Sequence, residues 1–257
     1  MAWTKTYDGV EPQRVNKWLA QAGVCSRREA EALIAGGQVR IDGELVTDVG
    51  RKIMAGQTLV LGERAAAQLD AQVSVVIHKP IGLVSSQPEG DQVPAIRLVR
   101  AENLFGSAET IPDSRASLAP LGRLDQDSRG LLILSEDGVL AKALIGPESQ
   151  VDKEYLVTVA GKVSRDVIVK LRHGLELDGR QLKPAKVKQE DMGVLRFTLT
   201  EGRNRQIRRM CELVGLDVTD LIRLRIGPVE LGDLPEGKWR MLTADERAAL
   251  VAASTGS

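Results

Sequence analysis

The chain has 257 residues, of which 43% are hydrophobic, so it can bury a sizeable core in one or two domains. Its 35 basic and 35 acidic side chains cancel, so a surface that binds a polyanion must be a local patch. Two cysteines and two histidines exclude a disulfide framework and a zinc site of the usual ligand spacing. No apolar segment approaches the roughly 20 residues that span a bilayer. We therefore expect a cytoplasmic protein without a membrane anchor or a structural metal.

Two short helices are predicted near the N-terminus. Residues 15–22 carry apolar side chains at helical spacing, and Gly23 marks the end of that helix. Ser26 and Glu29 have the spacing of a capping box, which predicts a second helix running to about Ala35.

A small sheet is predicted after these helices. Apolar residues alternate over residues 39–46 around Asp42-Gly43, which is a strong hairpin signal. Residues 59–61 then supply one more strand.

Three segments of this region, residues 14–16, 25–30 and 37–43, resemble the S4 domain, an RNA-binding module of two helices and a short sheet. The resemblance covers residues 13–62. It implies that basic side chains here contact phosphates of structured RNA, which proteins recognise largely by shape. The candidates are Arg14, Lys17, Arg27, Arg28 and Arg40. For the arginines in the first turn of the second helix, an ordinary solvated surface role is the alternative.

The rest of the chain is predicted to be a linker (63–72), a catalytic domain (73–245) and a C-terminal tail (246–257). The domain begins with a buried strand over residues 73–77 that ends at His78, for which we expect a structural rather than a catalytic role. Residues 100–118 lack periodicity and are predicted to form a loop or an insertion.

The segment from Gly122 to Leu132 places a carboxylate just before an apolar run that predicts a strand. Asp125 is the candidate for the chemistry, with Arg123 beside it. Asp127 is a competing carboxylate, but its position before Ser128 favours a loop or capping role.

Two alternating strands are predicted downstream of this segment. The first covers residues 153–159 and places Tyr155 on one face of a sheet, and the second covers residues 194–200. A helix with a buried face at Ile207 and Met210 follows the second strand. Arginines gather at the start of this helix, and their partners are either acidic side chains of the same fold or RNA phosphates. They are Arg203, Arg205, Arg208 and Arg209.

Taken together, the segments 122–132, 153–155 and 202–210 resemble the motifs of the RsuA/RluB/RluE/RluF family of S4-containing RNA pseudouridine synthases. Residues 204–212 are most similar to the large-subunit, RluF-type branch. The resemblance implies an α+β catalytic domain with a mixed sheet and a central cleft. It further implies conversion of uridine to pseudouridine in 23S rRNA without a cofactor or a metal.

The same resemblance assigns roles to individual residues. Asp125 attacks the sugar or removes a proton beside C1' to give a glycal, and sequence does not choose between these routes. Arg208 pairs with Asp125, and Tyr155 stacks on the uracil of the flipped nucleotide. Arg123 fills the gap left by that nucleotide or grips a phosphate. Arg203, Arg205 and Arg209 are the remaining candidates for RNA contacts in this domain.

Two departures from the family pattern bear on which RNA is bound. The family usually has asparagine where this chain has His78, and residues 100–118 are longer than expected. The partner is structured RNA, ribosomal RNA or else transfer RNA, and a monomer is compatible with the domain arrangement. The alternative function is a non-catalytic RNA-binding or ribosome-assembly protein that uses the S4 module and the arginine patch.

Overall fold

The computed structural model describes residues 3–113 and 116–254 and divides into two compact units. The first unit comprises the chain up to Val73 together with Ser135–Lys142. The second comprises Ser74–Leu134 and the chain from Ala143 onward. None of the helices in the described part of the chain is long and apolar enough to cross a membrane.

Two helices and a four-stranded antiparallel sheet form most of the first unit. Its elements are β1 (Thr4–Thr6), β2 (Gln13–Arg14), α1 (Val15–Gln21), α2 (Arg27–Ala35), β3 (Val39–Ile41), β4 (Glu44–Leu45), β5 (Lys52–Ile53), β6 (Thr58–Leu61) and α3 (Glu63–Asp70). The strand order is β1-β6-β3-β4, and β2 pairs with β5 separately. Trp18 of α1 packs edge-on against Tyr7, with ring centroids 5.5 Å apart, and anchors a continuous apolar core.

Local sequence signals correctly predict α1, α2 and the hairpin of this unit. The Ser26 hydroxyl accepts a hydrogen bond from the Glu29 amide (3.2 Å), and the Glu29 carboxylate accepts one from the Ser26 amide, so the capping box is present. Asp42 and Gly43 both have positive φ, at 49° and 87°, as a two-residue hairpin turn requires. Within the predicted linker, residues 63–70 form the helix α3.

The elements from Ser74 onward are β7 (Ser74–Lys79), β8 (Ala119–Pro120), β9 (Arg129–Ser135), α4 (Gly138–Ile145), β10 (Lys153–Ala160), α5 (Arg165–Arg172), β11 (Glu176–Leu177), β12 (Arg180–Gln181), β13 (Lys186–Asp191), β14 (Val194–Leu199), α6 (Gln206–Leu213), β15 (Asp217–Ile226), β16 (Val229–Glu230), β17 (Trp239–Met241) and α7 (Ala244–Ala253). Nine strands form one sheet in the order β13-β14-β10-β15-β9-β7-β17, with β16 beside β15 and β8 beside β9. The β15–β9 pair is parallel while β10 is antiparallel to both its neighbours. The sheet is therefore mixed, and the predicted α+β fold is confirmed.

Regular structure occurs in residues 100–118, predicted to be a loop or an insertion, and in residues 246–257, predicted to be a C-terminal tail. Residues 100–118 contain a short 3-10 helix, Ala101–Asn103, and are tied to β17 because the Trp239 indole donates to the Arg100 carbonyl (2.8 Å). The expected tail begins inside α7, which has its own capping box. Residues 114–115 and 255–257 of these two segments lie outside the described residues.

His78 has the structural environment expected of it. Its side chain is buried at the end region of β7, and Nδ1 lies 2.8 Å from the carbonyl oxygen of Leu234. This contact joins β7 to the loop before β17, within the second unit.

Candidate active site

The loop that carries Asp125 is held by the main chain on both sides of the carboxylate. The buried Ser85 hydroxyl accepts from the Leu124 amide (2.8 Å) and donates to the Leu124 carbonyl (2.6 Å). On the other side, the Gly82 amide donates to the Gln126 carbonyl (2.8 Å). The turn after β7 therefore fixes the backbone before and after Asp125.

Lys79 holds that supporting turn from within. Its side chain is fully buried, and Nζ donates to the carbonyls of Pro80 (2.9 Å) and Leu83 (2.7 Å). Burial lowers the pKa of Lys79 to about 8, and the negative charge of Asp125 partly opposes this shift.

Arg223 of β15 braces the two ends of the Asp125 loop. Its guanidinium donates from Nε to the Leu131 carbonyl (2.7 Å) and from Nη1 to the Arg123 carbonyl (3.1 Å). The side chain is 2% exposed, and its Nη2 has no hydrogen-bond partner among the described residues. Gly130 allows β9 and β15 to approach here, because a Cβ at this position would lie 2.4 Å from the Arg223 carbonyl oxygen.

A cavity of about 750 Å³ opens at this loop within the second unit. It brings together Asp125, Tyr155, Arg123 and Arg208, which the sequence singled out from separate segments. Tyr155 is 9% exposed and occupies the buried face of β10, as its alternating pattern predicts. Arg203 and Arg205 also line this cavity, whereas Arg209 is not among its lining residues.

The predicted pair between Arg208 and Asp125 is not formed in this structure. Among the described residues, the cation nearest the Asp125 carboxylate is Arg205, with Nη1 3.8 Å from Oδ2. Arg208 instead donates to the Asp127 carbonyl (2.7 Å) and the Ser128 hydroxyl (3.2 Å), and its Nε lies 3.3 Å from the Asp127 carboxylate. The physical reason is that Asp127, two residues further on, presents both a carboxylate and a carbonyl to the start of α6.

Asp127 is therefore a structural carboxylate that receives two cations. Arg205 donates to it twice, at 3.0 and 2.9 Å. Burial disfavours ionisation of Asp127, but the hydrogen bond from Arg205 and the charges of Arg208 and Arg205 outweigh it and lower the Asp127 pKa below its ordinary value.

Two further arginines of the cluster are bound to the β11–β12 hairpin. Arg203 donates to the carbonyls of Leu177 (2.9 Å), Arg180 (3.3 Å) and Gln181 (3.1 Å). Arg209 makes a two-pronged contact with Asp178, at 2.9 and 2.6 Å. Acidic side chains of the same fold, one of the two partner types that the sequence left open, bind Arg205, Arg208 and Arg209.

Sequence reasoning assigned no site role to three basic residues that line the cavity, Lys153, Lys183 and Arg223. Lys153 lies two residues before Tyr155 on the same alternating strand, and this spacing could have found it. Arg223 gives no comparable signal, because its strand β15 also carries Asp217, Asp220 and Arg225. Lys183 lies in a loop, where the sequence carries no such signal.

The basic residues predicted for the S4 unit lie on its surface. All five, Arg14, Lys17, Arg27, Arg28 and Arg40, are exposed, and within the described part of the chain none forms an ion pair. Exposed cations without acidic partners are suited to phosphate contacts. No group of three or more potential metal ligands occurs among residues 3–113 and 116–254.

The chain is similar to known RNA pseudouridine synthases over most of its length. The family model for RNA pseudouridylate synthase matches residues 73–213, and the S4 domain model matches residues 13–59. The dual-specificity RNA pseudouridine synthase RluF of Salmonella typhi is 36% identical over 247 residues, which cover 95% of this chain and 80% of that protein. An uncharacterized RNA pseudouridine synthase of Aquifex aeolicus is 33% identical over 244 residues, 92% of this chain and 93% of the relative.

A solved structure described as a pseudouridylate synthase has the same fold. It superposes with a TM-score of 0.63 at 28% identity and covers 92% of this chain and 99% of its own. Since both the family model and relatives of more than 30% identity span most of the chain, this protein belongs to the RNA pseudouridine synthases and carries an S4 domain before its catalytic domain.

Proposed function

We propose that this enzyme isomerises a specific uridine of ribosomal RNA, in the 23S rRNA, to pseudouridine, with Asp125 as the residue that starts the reaction. This proposal rests on one cavity that is lined by both Asp125 and Tyr155. The two residues come from different parts of the chain, since Asp125 lies in the loop before β9 and Tyr155 lies in strand β10. The similarity of residues 204–212 to the large-subunit branch supports the choice of 23S rRNA.

The cavity suits one extruded nucleotide. Its volume of about 750 Å³ falls in the range of roughly 300–1,000 Å³ that is usual for small-ligand sites. A base that reacts at its glycosidic bond must leave the stack, and an aromatic ring in the pocket then replaces the lost stacking. Tyr155 supplies that ring, and exposed Arg123 at the same cavity is suited to grip a neighbouring phosphate.

The chemistry requires a carboxylate at C1'. Asp125 either forms a bond to C1' or removes the adjacent C2' proton, and in both routes the C1'–N1 bond breaks. Its main chain is fixed on both sides, which favours a constant position for the carboxylate. An orienting role for Arg208 remains a prediction, since Arg208 would have to exchange Asp127 for Asp125.

The S4 unit provides the second RNA contact. Its exposed cations are suited to phosphates of a folded RNA. The monomeric state and the cytoplasmic location remain predictions, as does the choice of ribosomal over transfer RNA.

The test is carbodiimide mapping of pseudouridine in total RNA from cells with the gene intact, deleted, or carrying Asp125→Asn. We expect one large-subunit site to be lost in the deletion and in the Asp125→Asn strain. Asp127→Asn is the matched control, because it removes a carboxylate two residues away that holds Arg205 but is not assigned to the reaction. This control should retain the modification at a reduced level.

Other results of this mapping would change the substrate, the catalytic residue or the proposed reaction. A lost site in transfer RNA would replace the ribosomal substrate and keep the reaction. Full modification with Asp125→Asn would remove Asp125 from its role, and unchanged maps after deletion would favour the non-catalytic RNA-binding alternative.

A further inference from the structure

Lys153 is a cation that lines the cavity, and most of its hydrogen-bond donors are unused among the described residues. It is the first residue of β10, and because strand side chains alternate, it shares a face with Tyr155. Its Nζ donates to the Val151 carbonyl at 2.8 Å. An ammonium group has three N–H donors, so two remain for a ligand.

Acidic side chains do not neutralise this ammonium. Within the described residues, no carboxylate lies in ion-pair distance of Lys153. Asp152, its chain neighbour, is held by Arg225 of β15 through two hydrogen bonds, at 2.8 and 2.9 Å. The residues paired with Lys153 across the sheet are Leu199 of β14 and Ile226 of β15, both apolar.

The nearby charges make an anion favourable at this position. Burial and then the positive charge of Arg223 lower the pKa of Lys153 to about 8, against the weaker opposing effect of Asp152. Lys153 is thus mostly protonated at neutral pH, but in an environment that disfavours its charge. A negatively charged ligand in the cavity would be stabilised by both Lys153 and Arg223.

The proposed reaction generates such an anion, and the inference therefore rests on the proposed function. When the C1'–N1 bond breaks, its electron pair stays with the uracil, and the negative charge spreads over N1 and the two carbonyl oxygens. We propose that Lys153 is a catalytic residue whose ammonium donates a hydrogen bond to a carbonyl oxygen of the departing uracil.

The proton and electron balance is the same for either role of Asp125. The detached uracil turns and its C5 forms the bond to C1', which consumes the electron pair. In the covalent route the Asp125–C1' bond breaks at this step and its electrons return to the carboxylate; in the glycal route Asp125 returns its proton to C2'. The C5 proton then leaves to a base, N1 gains a proton, and the product is an isomer of the substrate. Lys153 keeps its own proton throughout and acts through charge and hydrogen bonding, as preorganised donors do at other developing anions.

The test uses the full-length enzyme and large-subunit rRNA extracted from the deletion strain, with pseudouridine measured in single-turnover reactions. Lys153→Met should lower the rate at saturating enzyme by about 10²–10³-fold, the usual effect of removing one such donor. RNA affinity should stay within about threefold, since the interaction strengthens only as negative charge develops on the uracil. Lys170→Met, an exposed lysine of α5 outside the cavity, is the matched control and should leave the rate unchanged.

Lys153→Arg separates charge from packing. Because it keeps a cation, it should recover part of the rate lost in Lys153→Met. Lys153 loses its proton as pH rises through about 8, and so does Lys79 in the turn that supports Asp125. The wild-type rate should therefore fall more steeply above about pH 8 than the rate of the arginine variant, in which only Lys79 still titrates.

The results distinguish a failure of the proposed function from a failure of the role of Lys153 alone. A wild-type enzyme that makes no pseudouridine, or an active Asp125→Asn variant, would overturn the proposed function. With those two controls as expected, a Lys153→Met rate within fivefold of wild type would overturn the role of Lys153 alone. So would a loss explained entirely by weaker RNA binding, or an arginine variant with the same alkaline fall as wild type.

Discussion

Replacing Ser85 by alanine tests whether the turn after β7 positions Asp125. The Ser85 hydroxyl is the hydrogen-bond partner of both the amide and the carbonyl of Leu124, and all of these atoms are buried. A buried polar group left without its partner costs about 1–3 kcal/mol. Loss of both bonds should therefore lower the free energy of unfolding by about 2–6 kcal/mol, unless the loop shifts to regain partners.

A shift of the loop would appear in the reaction rate instead. Because Asp125 directly follows Leu124, a displacement of about 1 Å would cost about 100-fold in the single-turnover rate. Urea unfolding and the rate of pseudouridine formation measure the two effects, with Ser107→Ala, at an exposed serine, as the control. If Ser85→Ala changed neither quantity beyond that control, the supporting role of the turn would be refuted.

Three further predictions concern packing, pH and RNA binding. Gly130→Ala should cost about 4 kcal/mol or more in urea unfolding, because its φ is +110° and the new Cβ would meet the Arg223 backbone; a normal transition would refute this. The hydrogen bond from Arg129 lowers the pKa of Asp220, so the pair stabilises the fold above the ordinary carboxyl pKa and is lost as pH falls through the lower folded value. Below about pH 4, the wild type should therefore lose about 1 kcal/mol of its free energy of unfolding, and the Asp220→Asn variant should not show this loss. Arg28→Ala should reduce the salt dependence of RNA affinity by about one charge, and an unchanged slope would place Arg28 outside the RNA contact.

Local rules predict most of the S4 unit and the strands around the site. The capping box at Ser26 and the turn at Asp42-Gly43 depend only on neighbouring residues, so the sequence determines them directly. Residues 63–70 were missed because their buried face consists of small side chains, Ala65 and Ala66, which give a weak amphipathic pattern. The α7 helix did carry a signal, since Thr243 and Glu246 have capping-box spacing.

The sequence predicts which residues form the site, but not which arginine pairs with which carboxylate. The sequence identifies Asp125, Tyr155 and an arginine-rich helix start, and the fold brings them to one cavity. Which arginine faces which carboxylate depends on the backbone between Asp125 and Arg129, and on the left-handed conformation of Arg205 (φ 50°). Neither is visible in a motif, so Arg208 lies against Asp127 rather than Asp125.

The exposure of these arginines indicates which of them an RNA could recruit. Arg205 and Asp127 are 43% and 46% exposed, and an ion pair in such contact with solvent is worth about 1 kcal/mol or less. A phosphate could therefore replace Asp127 as the partner of Arg205 at little cost. Arg203, by contrast, satisfies three main-chain carbonyls of the hairpin, which would lose their partner if it moved. Although the sequence groups these arginines together, the structure makes Arg203 a support for the cavity wall and leaves Arg205 exchangeable beside Asp125.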